Sequence, residues 1–287
     1  STHVYRQKQM LSKQELEQIE NLCVHEQPAY CVAACPLKLD TKTMIAHVAN
    51  GSFDKALLLY EKITPFPHIL AFGCEAPCEG KCKLCSLGDG VSIRKLEEAV
   101  VLHGIKSKAK GPLRFKKKKT TALFGSGLFM TFLAGELAKK AYPVTVFCTE
   151  KNHLEFIKKE LDNLSESILD ADAESLKSMD ISFIFETDPV KAYKEKAAEY
   201  DVVCASYETA CSLYPDLYVD ESVMVYREQK LVTGQTEGIL SAAFGAKKAA
   251  LSVDRLAQNL DPSNTRGDEG AVDTKLYTSL EGVLPTE

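Results

Sequence analysis

Apolar residues recur at helical intervals in the first third of the chain and in short runs after it, and the change falls between Lys108 and Lys119. Ahead of the change, Ser12 and Glu15 stand three apart as a capping box that opens a first helix. Met44, Ile45, His47 and Val48 predict a second helix ending near Gly51. Phe53 to Ile63 predicts a third, with Ala56, Leu57 and Tyr60 on one face, stopped by Pro65 and Pro67. Ser92 to Leu102 predicts a fourth. After Gly111-Pro112 and a basic run of Arg114 and Lys116 to Lys119, the pattern alternates between strand and helix. Thr121 to Phe124, Pro143 to Phe147, Ile181 to Phe185 and Val202 to Ala205 predict strands. Phe129 to Lys140, Glu155 to Leu164, Val190 to Glu199 and Gly238 to Gln258 predict helices. Such alternation argues for a parallel sheet with helices on its faces. The expected organisation is a helical segment over 1–112, an α/β domain over 113–260 and a polar tail over 261–287.

The helical segment is too small and loop-rich to be secure without staples, and cysteine is the candidate staple. Seven of the ten cysteines lie between Cys23 and Cys85. The polar start, Ser1 to Met10, has no apolar signal core, and no apolar run reaches the roughly 18–20 residues of a membrane span. A cytoplasmic location is expected, where disulfides are disfavoured and a dense cysteine block points to metal. A net charge of −5 makes no general case for nucleic acid or membrane as partner, and the basic run reads as a solvated linker. Cys148, Cys204 and Cys211, outside the block, are expected to fill buried apolar positions.

The block reads Cys23-x7-Cys31-x3-Cys35, then Cys74-x3-Cys78-x3-Cys82-x2-Cys85. Zinc sites favour two pairs with two to four residues inside each pair, and here the spacings are uneven and the ligands too many for one tetrahedral ion. Seven thiolates suit two cubanes with one further, non-thiolate ligand. Cys35-Pro36 matches the cysteine–proline ending of bacterial cluster motifs. Spacing alone favours iron–sulfur over zinc and leaves zinc open.

Cys23 and the run Pro28-Ala29-Tyr30-Cys31-Val32-Ala33-Ala34-Cys35-Pro36 resemble the N-terminal domain of the glutamate synthase small subunit, a domain shared with dihydropyrimidine dehydrogenase and NADH-dependent ferredoxin:NADP oxidoreductase. The likeness continues through Asn50 to Leu57, Thr64-Pro65-Phe66-Pro67, Cys74 to Cys82 and Val91 to Glu97, and covers roughly residues 20–100. The resemblance implies two [4Fe–4S] clusters whose ligands cross between the cysteine blocks. One would take Cys35, Cys74, Cys78 and the side chain of Glu97; the other would take Cys23, Cys31 and Cys82. Where that family has a further cysteine, three residues after Cys23, this chain has Glu26. Cys85 and Glu26 are the two candidates for the last ligand, and the softer thiolate of Cys85 is preferred. His25 and Glu26 are also placed to tune a cluster through contacts behind its ligands.

In the α/β segment, Gly125-Ser126-Gly127 follows a strand and precedes a helix, as a dinucleotide fingerprint does, but Met130 stands at its third glycine. Cys148 ends the second strand where a ribose-binding acid is expected, and Glu150 comes two residues late. The same family follows its cluster domain with an FAD domain. The resemblance matches Gly125 and Gly127 to the phosphate loop, and Val223 to Glu228 to the strand that holds the flavin ribityl chain, with Arg227 for its glycine and Glu228 for its aspartate. Gly238 to Ala250 resembles the closing helix beneath the flavin. The family's inserted NAD(P)H domain has no counterpart, and no second glycine fingerprint occurs.

The sequence therefore predicts an α-helical two-cluster iron–sulfur domain followed by a reduced, Rossmann-like domain of FAD-binding type. The expected role is electron transfer as a subunit of a larger redox complex. Gly125, Gly127 and Glu228 are the candidate residues for a retained FAD, and no NAD(P)H site is expected. The alternatives are a free-standing FAD-dependent oxidoreductase and a zinc-stabilised interaction module. Leu276, Tyr277, Leu280 and Val283, at near-helical spacing in the tail, form a candidate docking arm.

Overall fold

A computed structural model describes residues 29–86, 88–106, 115–216 and 223–262. The Ser12–Glu15 capping box, Cys23, His25, Glu26, the 112/113 boundary and the tail helix lie outside the described residues.

The N-terminal part is helical. Helix α1 (Tyr30–Ala34) is a single turn, and α2 (Thr41–Ala49) starts where the Asp40 carboxylate accepts the Thr43 N–H at 3.1 Å. Helix α3 (Phe53–Ile63) buries Ala56, Leu57 and Tyr60 as its spacing predicts, and ends at Thr64. Pro67 does more than stop it: proline suits the first position of a helix, and Pro67 opens α4 (Pro67–Gly73). Two 3-10 turns, Glu79–Lys81 and Lys83–Ser86, carry the second cysteine run, and α5 (Ile93–His103) follows.

The remainder is a six-stranded sheet: β1 (Thr121–Phe124), β2 (Val144–Phe147), β3 (Ile181–Ile184), β4 (Val202–Ala205), β5 (Met224–Tyr226) and β6 (Leu231–Thr233). Its order is β3-β2-β1-β4-β6-β5, all parallel except β5, which runs antiparallel to β6. Chain order reverses between β1 and β4, the point at which a crevice opens beyond the carboxyl ends of the strands. Strands β1 and β4 are buried along their whole length, as expected of strands covered on both faces. Alternate residues feed different cores: Ala122, Phe124, Val203 and Ala205 face one way, Leu123, Val202 and Cys204 the other.

Six helices connect and flank these strands: α6 (Leu128–Lys139), α7 (His153–Lys158), α8 (Glu166–Ser178), α9 (Pro189–Lys196), α10 (Tyr207–Leu213) and α11 (Ile239–Ala257). The larger core runs without a break from the sheet through α6 and α11 into Met44, Tyr60, Phe66 and Ile69 of the helical part. Gly135 of α6 permits that approach, since a Cβ there would stand 2.6 Å from Pro65 Cγ and 2.8 Å from Phe66 Cε2. Two carboxylates cross the junction. Buried Asp172 of α8 accepts the Ile69 N–H at 2.7 Å and pairs with His68 Nδ1 at 3.1 Å, at the start of α4. Glu75, from the helical part, accepts the Ile239 and Leu240 N–H groups at 2.7 and 3.0 Å, at the start of α11.

Three expectations change. The helix predicted over Glu155 to Leu164 starts at His153 and ends at Lys158: Lys159 leaves helical geometry with ψ 125°, and Glu160, at a left-handed φ of +70°, does not resume it. The strand that leads into the closing helix is β6, not Val223 to Glu228; β5 lies within that segment and forms the antiparallel edge. Cys148 and Cys204 are fully buried as expected, whereas Cys211 is only half-buried.

Candidate metal centre

The described cysteines are held at element ends. Cys31 lies on α1 and Cys35 caps it; Cys74 caps α4; Cys78 and Cys82 flank the first 3-10 turn, and Cys85 lies in the second. Capping positions free the backbone from helical continuation, so the thiols can turn inward while the helices fix their origins. Cys74 and Cys78 are buried, Cys31, Cys35 and Cys82 half-buried, and Cys85 exposed.

Glu97 of α5 points into the same region and is 5% exposed, an unusual position for a carboxyl. The Tyr60 hydroxyl, itself buried, donates to Glu97 Oε2 at 3.1 Å. The next residue, Glu98, points outward and pairs with Lys95 at 2.8 Å and Arg94 at 3.7 Å. Burial pushes the Glu97 carboxyl up to about 7 and the Cys74 and Cys78 thiols up to about 12. Burial also raises Cys35, and negative charge on Glu97 adds to the rise at Cys35, Cys74 and Cys78. The three thiols and Glu97 thus share a half-dry pocket in which charge on Glu97 disfavours ionisation of each thiol. Strong local positive charge reverses that balance, and a bound metal supplies it. The donor set of three thiols and one buried carboxyl therefore fits an iron–sulfur cluster. The Ala76 N–H also points at Cys74 Sγ, at 3.4 Å.

A second group forms around Cys82. Burial raises the Cys31 thiol, and the charge of Cys82 raises it further. A Cβ on Gly90 would stand 2.5 Å from Cys85 Sγ and 3.7 Å from Cys82 Sγ, so the two thiols border one point that only glycine leaves free. The structure thus brings Cys35, Cys74, Cys78 and Glu97 into one region, and Cys82 next to Cys85. Among the described residues no three His, Cys, Asp or Glu side chains close up as tightly as ligands of a single ion.

The glycine loop lies at the carboxyl end of β1. Gly125 and Gly127 have φ of +106° and +116°. Glu150, late in sequence, reaches the loop, where Ser126 Oγ donates to its Oε1 at 2.7 Å; Lys159 Nζ donates to Ser126 Oγ at 3.0 Å. The Leu128 N–H at the start of α6 donates to Glu160 Oε2 at 2.5 Å. A cavity of about 250 Å³ beside it is lined by Gly127, Met130, Glu160, Glu208 and Gly234 to Thr236. A neighbouring one of about 490 Å³ is lined by Gly125, Ser126, Thr149, Asp188, Ser206 and Thr209 among others. Glu228 is not brought to the glycines. It occupies the turn from β5 to β6, at the amino ends of the parallel strands, and Gly234-Gln235 stands at the carboxyl end instead. Arg227 pairs with Asp261, away from the loop. Sequence reasoning missed Tyr60 as a partner of Glu97, Glu160, Glu75 and Asp172. Only Tyr60 carried a signal, as an apolar-face residue with a polar tip.

Cysteine loops gathered near a buried carboxyl at the ends of short helices make a candidate metal centre. Residues 2–109 match the family model for dihydropyrimidine dehydrogenase domain II, a 4Fe-4S cluster domain. Over that segment, which is less than half of the chain, the sequence is similar to this family of cluster domains. The glutamate synthase [NADPH] small chain of Bacillus subtilis (strain 168) is 34% identical over 103 residues, 35% of this chain and 21% of the relative. The match thus spans about a fifth of the relative's length. The family match stops ahead of the sheet. No helix among the described residues is long and apolar enough to cross a membrane.

Proposed function

We propose that the chain is an electron-relay subunit that holds two [4Fe–4S] clusters within a larger redox complex. The observation that carries this reading is the convergence of Cys35, Cys74 and Cys78 on the buried carboxyl of Glu97. When bound, such clusters take up and release single electrons. The three thiolates and Glu97 hold the first; Cys23, Cys31, Cys82 and Cys85 hold the second. The Tyr60 hydroxyl fixes the orientation of the Glu97 carboxylate, leaving its other oxygen to bind metal. The Ala76 N–H directed at Cys74 Sγ stabilises thiolate charge and so bears on the potential. The matched relative is named as a small chain, which supports a partner subunit as donor or acceptor.

Anaerobic purification followed by iron and sulfide analysis tests the reading, with about eight irons expected per chain. About four irons, or zinc in their place, would overturn the two-cluster assignment.

The flavoenzyme reading is favoured by one observation, the positive φ of Gly125 and Gly127 at a strand-to-helix turn. Three others oppose it. Glu160 occupies the Leu128 N–H, Met130 is packed where a third glycine is expected, and Glu228 lies at the far end of the sheet. The residues present do not fit an FAD diphosphate.

A further inference from the structure

We propose that the crevice at the carboxyl ends of β1, β4 and β6 is closed to dinucleotides by the chain's own carboxylates, with Glu160 standing where a phosphate would bind at the start of α6. The proposal rests on the electron-relay reading and deepens it, by giving the α/β unit a self-sealed site in place of a cofactor.

A glycine-flanked helix start offers unpaired N–H groups and a partial positive charge, and so attracts phosphate. Here the Leu128 N–H is already given to Glu160 Oε2 at 2.5 Å. That oxygen stands 2.8 Å from the place a Gly127 Cβ would take, so the approach that glycine keeps open is filled by carboxylate. Glu160 lies in the turn after α7, two residues beyond its last residue Lys158, and holds a left-handed φ of +70°. A non-glycine residue is strained there, and surrounding contacts must hold it. Lys159 supplies one, with Nζ bonded to Ser126 Oγ at 3.0 Å and 3.7 Å from Glu150.

The same device recurs at α11, whose leading segment Gly234 to Thr236 lines the cavity beside Glu160. Its first N–H groups are taken by Glu75, and a Cβ on Gly238 would stand 2.2 Å from Glu75 Oε1. Glu208 adds a third carboxylate at the rim. A dinucleotide would have to expel the bonded Glu160 and place phosphate charge beside Glu208, while Lys159, the cation lining both cavities, is engaged by Ser126 and Glu150. Like charges so placed reject a ligand whatever shape the cavity has.

Equilibrium dialysis of the full, cluster-loaded chain against ADP and against FAD tests this, on wild type, Glu160→Gly and Glu160→Gln. Glycine tolerates the left-handed φ, so Glu160→Gly relieves strain as it frees the Leu128 N–H. Glu160→Gln keeps the length of the side chain and removes its charge, and it decides the question should the glycine variant lose iron or melt early. Wild type is expected to retain neither ligand. Glu160→Gly is expected to bind ADP about tenfold more tightly or better, and Glu160→Gln to gain less. Folded variants that gain nothing over a flavin-free wild type would remove Glu160 as the block and leave the relay reading intact. Wild-type protein that purifies with stoichiometric FAD would overturn both.

Discussion

Glu97 and Glu98 are neighbours of identical chemistry with opposite surroundings. Glu98 spends its charge on Arg94 and Lys95 at the surface; Glu97 is buried against Tyr60 among thiols. By sequence pattern the register between them is open, because a helix start shifted by one residue would carry either acid inward. The structure resolves it through Tyr60, 37 positions away, a partner that no local pattern reveals. The last ligand of the other cluster is a choice between two residues. Cys85 Sγ borders the same point as Cys82 Sγ, whereas Glu26 lies outside the described residues. Cys85→Ser is therefore expected to convert that cluster to a three-iron form, releasing about one iron in eight, or to lose it. Glu26→Ala is expected to leave it whole. Electron paramagnetic resonance of the two variants decides, and the reverse pattern would give the ligand role to Glu26.

At the scale of elements, strands and helices with clean periods were legible, and the misses have physical causes. Thr121 to Phe124 and Val202 to Ala205 are found as predicted because three or four apolar positions in a row, bounded by turns, leave little choice. Helix α8 escaped because Asp172 interrupts its apolar stripe of Leu169, Ala173 and Leu176, and that acid is buried to serve a distant backbone. Strand β6 is only Leu231 to Thr233, too short to show an alternation. The over-long helix from Glu155 fails after Lys158, and beyond it Glu160 is given to a tertiary bond with Leu128 despite its good helical propensity. Packing between elements was not legible at all. Gly135, unremarked in sequence, is the closest approach of α6 to the loop between α3 and α4. Gly135→Val places branched carbon against Pro65 and Phe66, and is expected to cost about 1–3 kcal/mol. Its denaturation midpoint should fall and iron be lost in the same transition. A midpoint equal to wild type would show that the helical part and the sheet do not depend on this contact.

At the scale of the molecule, an electron carrier needs an entrance and an exit. The chain lacks a second glycine fingerprint, so the expected entrance is another subunit rather than a pyridine nucleotide. The isolated chain is expected neither to oxidise NADH or NADPH nor to reduce a dye with them, and to pass electrons only with its partner present. Steady turnover of either nucleotide by the chain alone, measured at 340 nm, would restore the flavoenzyme reading. The two carboxylates that cross between the halves tie the α/β unit to the cysteine loops. Asp172 finishes the helix that delivers Cys74, and Glu75, the residue after Cys74, finishes the helix that closes the sheet. Each half thus completes a fold that the other leaves incomplete. Without the sheet part, the Ile69 N–H would lose its acceptor and the helix that leads to Cys74 its support. The two halves are then mechanically one body, and loosening either is expected to loosen the other.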